Sequence, residues 1–141
     1  MTQYLLDTNV ISETARQKPD GVVLGWIGQL TSILLPSVAI YEIAAGIKRL
    51  PSGRRRRFLE DWFADLLGSE CQVLALDSDA ALASADIEVE ARHQRRVLEH
   101  RDLLILGTAR ARAVGVATRN VDHFRGLGVP VYDPFEDTHF R

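Results

Sequence analysis

The chain has 141 residues, 46% hydrophobic and 26% charged, which suits one domain over residues 1–141 whose core needs no disulfide or structural metal. Its single cysteine, Cys71, excludes an internal bridge. With no basic leader before an apolar core, and no apolar run approaching roughly 20 residues, a cytoplasmic protein without a membrane span is expected. The 17 Lys and Arg against 19 Asp and Glu give a net charge of −2, which excludes a generic polycation that coats nucleic acid.

The apolar run Tyr4-Leu5-Leu6 reads as a strand that stops at Asp7-Thr8-Asn9, where Thr8 or Asn9 caps a helix through about Ala15. Pro19, Asp20 and Gly21 break it. Val23, Trp26, Ile27 and Leu30 recur at helical spacing within 22–30, and Ile33-Leu34-Leu35 is a second strand. Ser37 caps a helix to about Leu50 with an apolar stripe of Ile40, Ile43, Ala44 and Ile47, closed by Pro51-Ser52-Gly53. Phe58, Leu59, Trp62, Phe63, Leu66 and Leu67 set the period of a helix over 54–68 whose first turn is four arginines. Val73 to Leu76 is a third strand. A long helix follows from Asp77 to about Val97, and another begins at Asp102. Val114 to Ala117 forms a fourth strand, a short helix spans 121–127, and Val129 to Tyr132 forms a fifth. Short apolar strands alternating with helices predict an α/β fold, a three-layer sandwich around a mainly parallel five-stranded sheet.

In open parallel sheets, ligands bind beyond the carboxyl ends of the strands, so the residues after each strand are the ones that bear on function. Asp7 follows the first strand. Thr118, Arg119 and Asn120 follow the fourth, with Asp122 close behind, and Asp102 opens the helix leading into that strand. Glu42 lies one turn into the helix after the second strand, on the face of Val38, Ala45 and Arg49 and opposite the isoleucine stripe. Each has a plainer reading as a turn, a cap or a solvated glutamate. Taken together, three or four carboxylates at one edge repel one another unless a cation neutralises them, and an all-oxygen cluster selects hard ions, Mg²⁺ or Mn²⁺. His93, His100, His123 and His139 lack paired zinc spacing, and no dinucleotide, P-loop or hydrolase-elbow motif occurs. Lys48, Arg49 and Arg54 to Arg57 form a local basic patch suited to phosphates, with a solvated helix start as its plainer reading. A signalling receiver is disfavoured because paired acids after the first strand and a lysine after the fifth are both missing.

The segments Leu5-Leu6-Asp7-Thr8-Asn9-Val10-Ile11-Ser12-Glu13, Ser37 to Gly46, Arg101-Asp102-Leu103-Leu104-Ile105 and Ala117-Thr118-Arg119-Asn120-Val121-Asp122-His123-Phe124 resemble the PIN-domain ribonucleases, in particular the VapC-type and FitB-like toxins of toxin-antitoxin pairs. The resemblance implies a Mg²⁺- or Mn²⁺-dependent endoribonuclease with Asp7, Glu42 and Asp102 as metal-binding catalytic acids. The family's fourth acid falls on Asn120, so Asp122 is the candidate substitute. Thr8 or Ser37, with Thr118 and Asn120, would support the ligands or complete a fourth site. Arg119 with Lys48, Arg49, Arg54 and Arg55 would grip RNA phosphates. The implied partners are a cognate antitoxin, an RNA substrate and a second copy in a homodimer or a larger toxin-antitoxin assembly. A catalytically weak binding module paired with an antitoxin is the alternative that Asn120 raises.

Overall fold

The computed structural model describes residues 2–141. Strand β1 (Tyr4–Leu6) enters α1 (Thr8–Ile11), which tightens into a 3₁₀ turn (Ser12–Ala15) before α2 (Gly21–Gly28). Then come β2 (Ile33–Pro36), α3 (Ser37–Lys48), α4 (Arg54–Gly68), β3 (Cys71–Leu74), α5 (Ser78–His93) and α6 (His100–Ala111). The chain ends with β4 (Gly115–Ala117), α7 (Val121–Phe124), β5 (Val131–Asp133) and β6 (Thr138–Phe140).

The strands lie in the order β3-β2-β1-β4-β5-β6. The first five are parallel and β6 returns antiparallel to β5, with Tyr132 opposite His139. Successive side chains of a strand point to opposite faces, and this divides the core. Leu5, Leu34, Val116 and Val131 pack with Ile87, Leu103 and Leu106 under α5 and α6. Leu6 and Leu35 pack with Val10, Ile11, Val23, Ile43 and Ile47 under α1, α2 and α3. The result is the expected three-layer sandwich with one strand more. β6 escapes the sequence pattern because it is a three-residue edge strand with two exposed residues, and its pairing depends on the preceding turn. In that turn Asp133 accepts the Phe135 N–H (2.8 Å) and the Tyr132 hydroxyl donates to Asp137 (2.9 Å).

Several boundaries differ from the sequence expectation for identifiable reasons. β3 begins at Cys71, opposite Ile33, while the Leu76 N–H leaves the sheet to reach Ser37 Oγ (3.1 Å). α5 ends at His93 rather than near Val97. Arg95 adopts a left-handed φ of 59°, Arg95 N–H bonds the Arg92 carbonyl (2.9 Å) and Arg96 N–H the Ala91 carbonyl (2.8 Å), which is a Schellman stop without glycine. Asp7, not Thr8 or Asn9, caps α1. α6 starts two residues before Asp102, which places that acid inside the first turn, facing inward, rather than at the cap. Along α3 the buried positions are Ala39, Ile43 and Ile47, with Ile40 half-buried. Where α5 and α6 cross, a Cβ on Gly107 would come within 1.9 Å of Ser84 Oγ and 2.5 Å of the Ala80 carbonyl oxygen, so only glycine permits that contact.

Candidate active site

The strand order reverses beside β1: β2 lies to one side and β4 to the other. The crevice at such a switch point is where α/β sheets bind ligands, and the chain leaves β1 and β4 there through Asp7 and Thr118. The Asp7 backbone N–H bonds the Ala117 carbonyl (2.9 Å), which ties the two exits together. Asp7 is fully buried. Its Oδ1 accepts from Thr8 N–H (2.7 Å) and from Arg101 Nη2, and its Oδ2 accepts from Thr118 Oγ1 (2.8 Å) and Asn9 Nδ2 (3.3 Å).

Glu42 projects from α3, with Oε1 accepting from Thr8 Oγ1 (3.2 Å) and Oε2 from Arg101 Nε. Asp102 projects from α6, with Oδ1 accepting from Arg101 Nη1 (2.7 Å) and Oδ2 facing His123 Nδ1 (3.3 Å). Three carboxylates from three elements thus converge on one guanidinium. Burial raises the Asp102 pKa more than neighbouring Arg101 lowers it, and the charge of Asp7 adds to the rise. Burial works against the charge of Arg101, yet Asp7 and Glu42 outweigh it and hold its pKa above the ordinary guanidinium value.

The other sequence candidates divide. Thr8 and Thr118 both bond acid oxygens, whereas Ser37 does not: its hydroxyl accepts from Leu76. Asn120 is exposed and reaches the network only through its backbone N–H, which bonds Thr118 Oγ1 (3.0 Å). The Asp122 side chain is 79% exposed and pairs with Arg125 (3.1 Å), so it stands outside the ring of acids around Arg101. The basic patch also splits. Arg55 lines a cavity of about 280 Å³ together with Thr8, Arg16, Glu42 and Trp62, beside the acids. Lys48, Arg49 and Arg54 are exposed, while Arg56 turns back to the Leu50 carbonyl (3.2 Å). Arg119 is exposed, stacks over the Phe135 ring at 3.8 Å and gives its backbone N–H to Asn9 Oδ1 (3.1 Å).

Arg101 and His123 carry no site role that the sequence shows, and Asn9 appears there only as a candidate helix cap. Arg101 precedes Asp102, and neighbours on a helix do not normally share a face, so spacing gives no cue. Its long stem brings the guanidinium round to the acids. Among the described residues, no group of three or more Asp, Glu, His or Cys is spaced to hold a metal ion directly. The donor set nevertheless suits a hard ion: three carboxylates, two of them buried, already surround one centre of positive charge.

The family model for the PIN domain matches residues 4–128. The chain belongs to the PIN-domain family. PIN-domain nucleases are in general dependent on divalent metal. This PIN domain is 32% identical over 136 residues to the VapC ribonuclease Y4jK of Sinorhizobium fredii, covering 94% of the chain and 97% of that protein. It is 30% identical over 139 residues to the toxin FitB of Neisseria gonorrhoeae, covering 94% and 99% respectively. The solved structure of FitAcB from Neisseria gonorrhoeae matches it with a TM-score of 0.83 at 27% identity, over 94% of this chain and 99% of that one. No helix among the described residues of this PIN domain is long and apolar enough to cross a membrane.

Proposed function

We propose that this PIN domain is an endoribonuclease that uses Mg²⁺ or Mn²⁺ and acts as the toxin of a toxin-antitoxin pair. The observation that carries the reading is the convergence of Asp7, Glu42 and Asp102 on a single cationic centre at the sheet's switch point. Similarity to a VapC ribonuclease and to FitB supports the ribonuclease and toxin assignments, and FitAcB supports a bound antitoxin.

The reaction is hydrolysis: a water oxygen bonds phosphorus, the bond from phosphorus to the 3′ oxygen breaks, and a proton reaches the leaving oxygen. A bound divalent ion supplies polarisation of the water and neutralises charge on the phosphate. Asp7 is the fixed donor, because Thr8, Thr118 and Asn9 leave its carboxylate no free rotation. Asp102 is held from its far side by His123. Glu42 is the acid with solvent access, its side chain 25% exposed, so its Oε oxygens are the place for the proton taken from the attacking water. Arg55 and Arg16, at the rim of the cavity next to Glu42, would bind flanking phosphates.

The test is cleavage of RNA by the purified, antitoxin-free chain with Mg²⁺, Mn²⁺ or chelator. Cleavage that needs metal and falls by about 10²-fold or more in Asp7→Asn, with the fold retained by circular dichroism, is expected. Equal cleavage by Asp7→Asn would sink the assignment. The ion pair between Arg101 and the acids favours one second reading, a catalytically weak module that works by binding its antitoxin. That reading predicts antitoxin binding without metal-dependent cleavage.

A further inference from the structure

Arg101 uses three nitrogens on three acids: Nε on Glu42 Oε2, Nη2 on Asp7 Oδ1 and Nη1 on Asp102 Oδ1. A guanidinium only donates hydrogen bonds and cannot ligate a cation, so every bond it makes engages an oxygen that an ion would need. The repulsion between a dication and a guanidinium in one partly buried pocket adds to that conflict. The two arrangements therefore compete for the same carboxylate oxygens. We propose that Arg101 is a tethered competitor for the metal: it neutralises the acid cluster in the metal-free chain and has to withdraw before a divalent ion binds. This rests on the metal-dependent reading of the site given above.

The surroundings allow the withdrawal. The Arg101 side chain is 25% exposed, so part of it already meets solvent. A cavity of about 440 Å³ adjoins it, lined by Val38, Tyr41, Leu76 and Leu104 together with Glu42. Arg101 can lay its methylene stem along those apolar walls and keep its charged head in water. Because the competitor is part of the chain, dilution does not remove it, and the apparent metal affinity carries a constant penalty. The purely structural alternative makes the opposite prediction. If Arg101 simply glues the acids into position, removing it lets them repel and spread, and metal binding weakens.

The experiment measures Mn²⁺ binding to the chelator-stripped full chain by calorimetry, for the unaltered protein, Arg101→Gln and Asp7→Asn. Arg101→Gln is expected to bind Mn²⁺ at least about tenfold more tightly, the equivalent of losing one charge-assisted bond that opposes the ion. Its thermal midpoint without metal should fall, and added Mn²⁺ should raise it further than in the unaltered chain. Equal or weaker binding by Arg101→Gln, while the unaltered chain binds and Asp7→Asn does not, would overturn the competition and leave the metal-dependent reading intact. If none of the three binds Mn²⁺, the metal-dependent reading fails and the competition with it. Should Arg101→Gln not fold, a Mg²⁺ titration of the unaltered chain followed at the Arg101 Nε–H by NMR decides the matter. Loss of its protection from exchange at saturation is expected, and retained protection with Mg²⁺ bound would refute the proposal.

Discussion

Asp7 works through the residues that hold it. Thr118 Oγ1, itself fully buried, donates to the fully buried Asp7 Oδ2 and accepts from the Asn120 N–H (3.0 Å) and from Asn9 Nδ2 (3.4 Å). Replacing that hydroxyl by a methyl keeps the volume and removes all three bonds, so Thr118→Val should cost about 1–3 kcal/mol of stability. Metal affinity or activity should fall by about 10–100-fold. Denaturant midpoints and Mn²⁺ calorimetry check the two effects, and an unchanged midpoint would remove Thr118 from the network. Glu13 is a further buried acid with a defined task. Burial opposes its charge, but the Asp20 N–H (3.0 Å) and Arg16 (2.9 Å) outweigh burial and lower its pKa. A lowered folded-state value gives stability that is present above the unfolded value of roughly 4.3 and lost as pH falls through the folded one. Glu13→Gln should therefore be about 1 kcal/mol less stable at neutral pH, with the gap closing in acid. Urea melts at pH 7 and pH 3 measure it.

Among the elements, the α5–α6 pair is the tightest piece of the molecule and the one that sets Asp102. Gly107 lets α6 lie against Ser84 and the Ala80 carbonyl. Backbone cannot yield as a flexible side chain can, so Gly107→Ala should destabilise by about 1–3 kcal/mol or more. Because the shift would displace the helix that carries Arg101 and Asp102, cleavage should fall with it. Thermal melts and the cleavage assay read both, and a neutral variant would show that the two helices slide freely. The two non-glycine helix stops, Arg95 and Ala113 with φ of 59° and 56°, belong to the same unit. The first places the Arg96 side chain on the Asp122 and Arg125 carbonyls (3.0 and 2.7 Å), so the stop of α5 also anchors the loop that presents His123.

At the scale of the whole molecule, charge is sorted rather than abundant. The chain is net negative, three of its acids meet at the switch point, and Arg16 and Arg55 line the cavity beside Glu42. RNA held by such cations releases counterions, so affinity should fall linearly in log salt. Arg55→Ala should reduce that slope by about 0.7 for the single-strand phosphate it releases, with little change in cleavage position. Filter binding of RNA to the Asp7→Asn chain across a salt series tests this, and an unaltered slope would place the RNA path elsewhere.

The order of strands and helices was legible in the sequence because a period of 2 or 3.6 residues marks each buried stripe whatever lies opposite it. Asp7, Glu42 and Asp102 were legible as residues for the same local reason: each stands just past a strand or within a turn of a helix start. What each acid touches was not. Asp102 reads equally well as a cap until the helix is seen to begin at His100, and Asp122 reads as a fourth acid until its carboxylate is found on Arg125. β6 exists only because a turn brings three residues, two of them exposed, back beside β5. Arg101 is the clearest case, since its neighbour in sequence is one of its three partners while Glu42 and Asp7 lie 59 and 94 positions away. By itself the sequence determined the layers and the acids, because both are written in local spacing. Only the tertiary structure decided that the acids meet around an arginine of the same chain, because a long flexible side chain reaches whatever the fold brings near it.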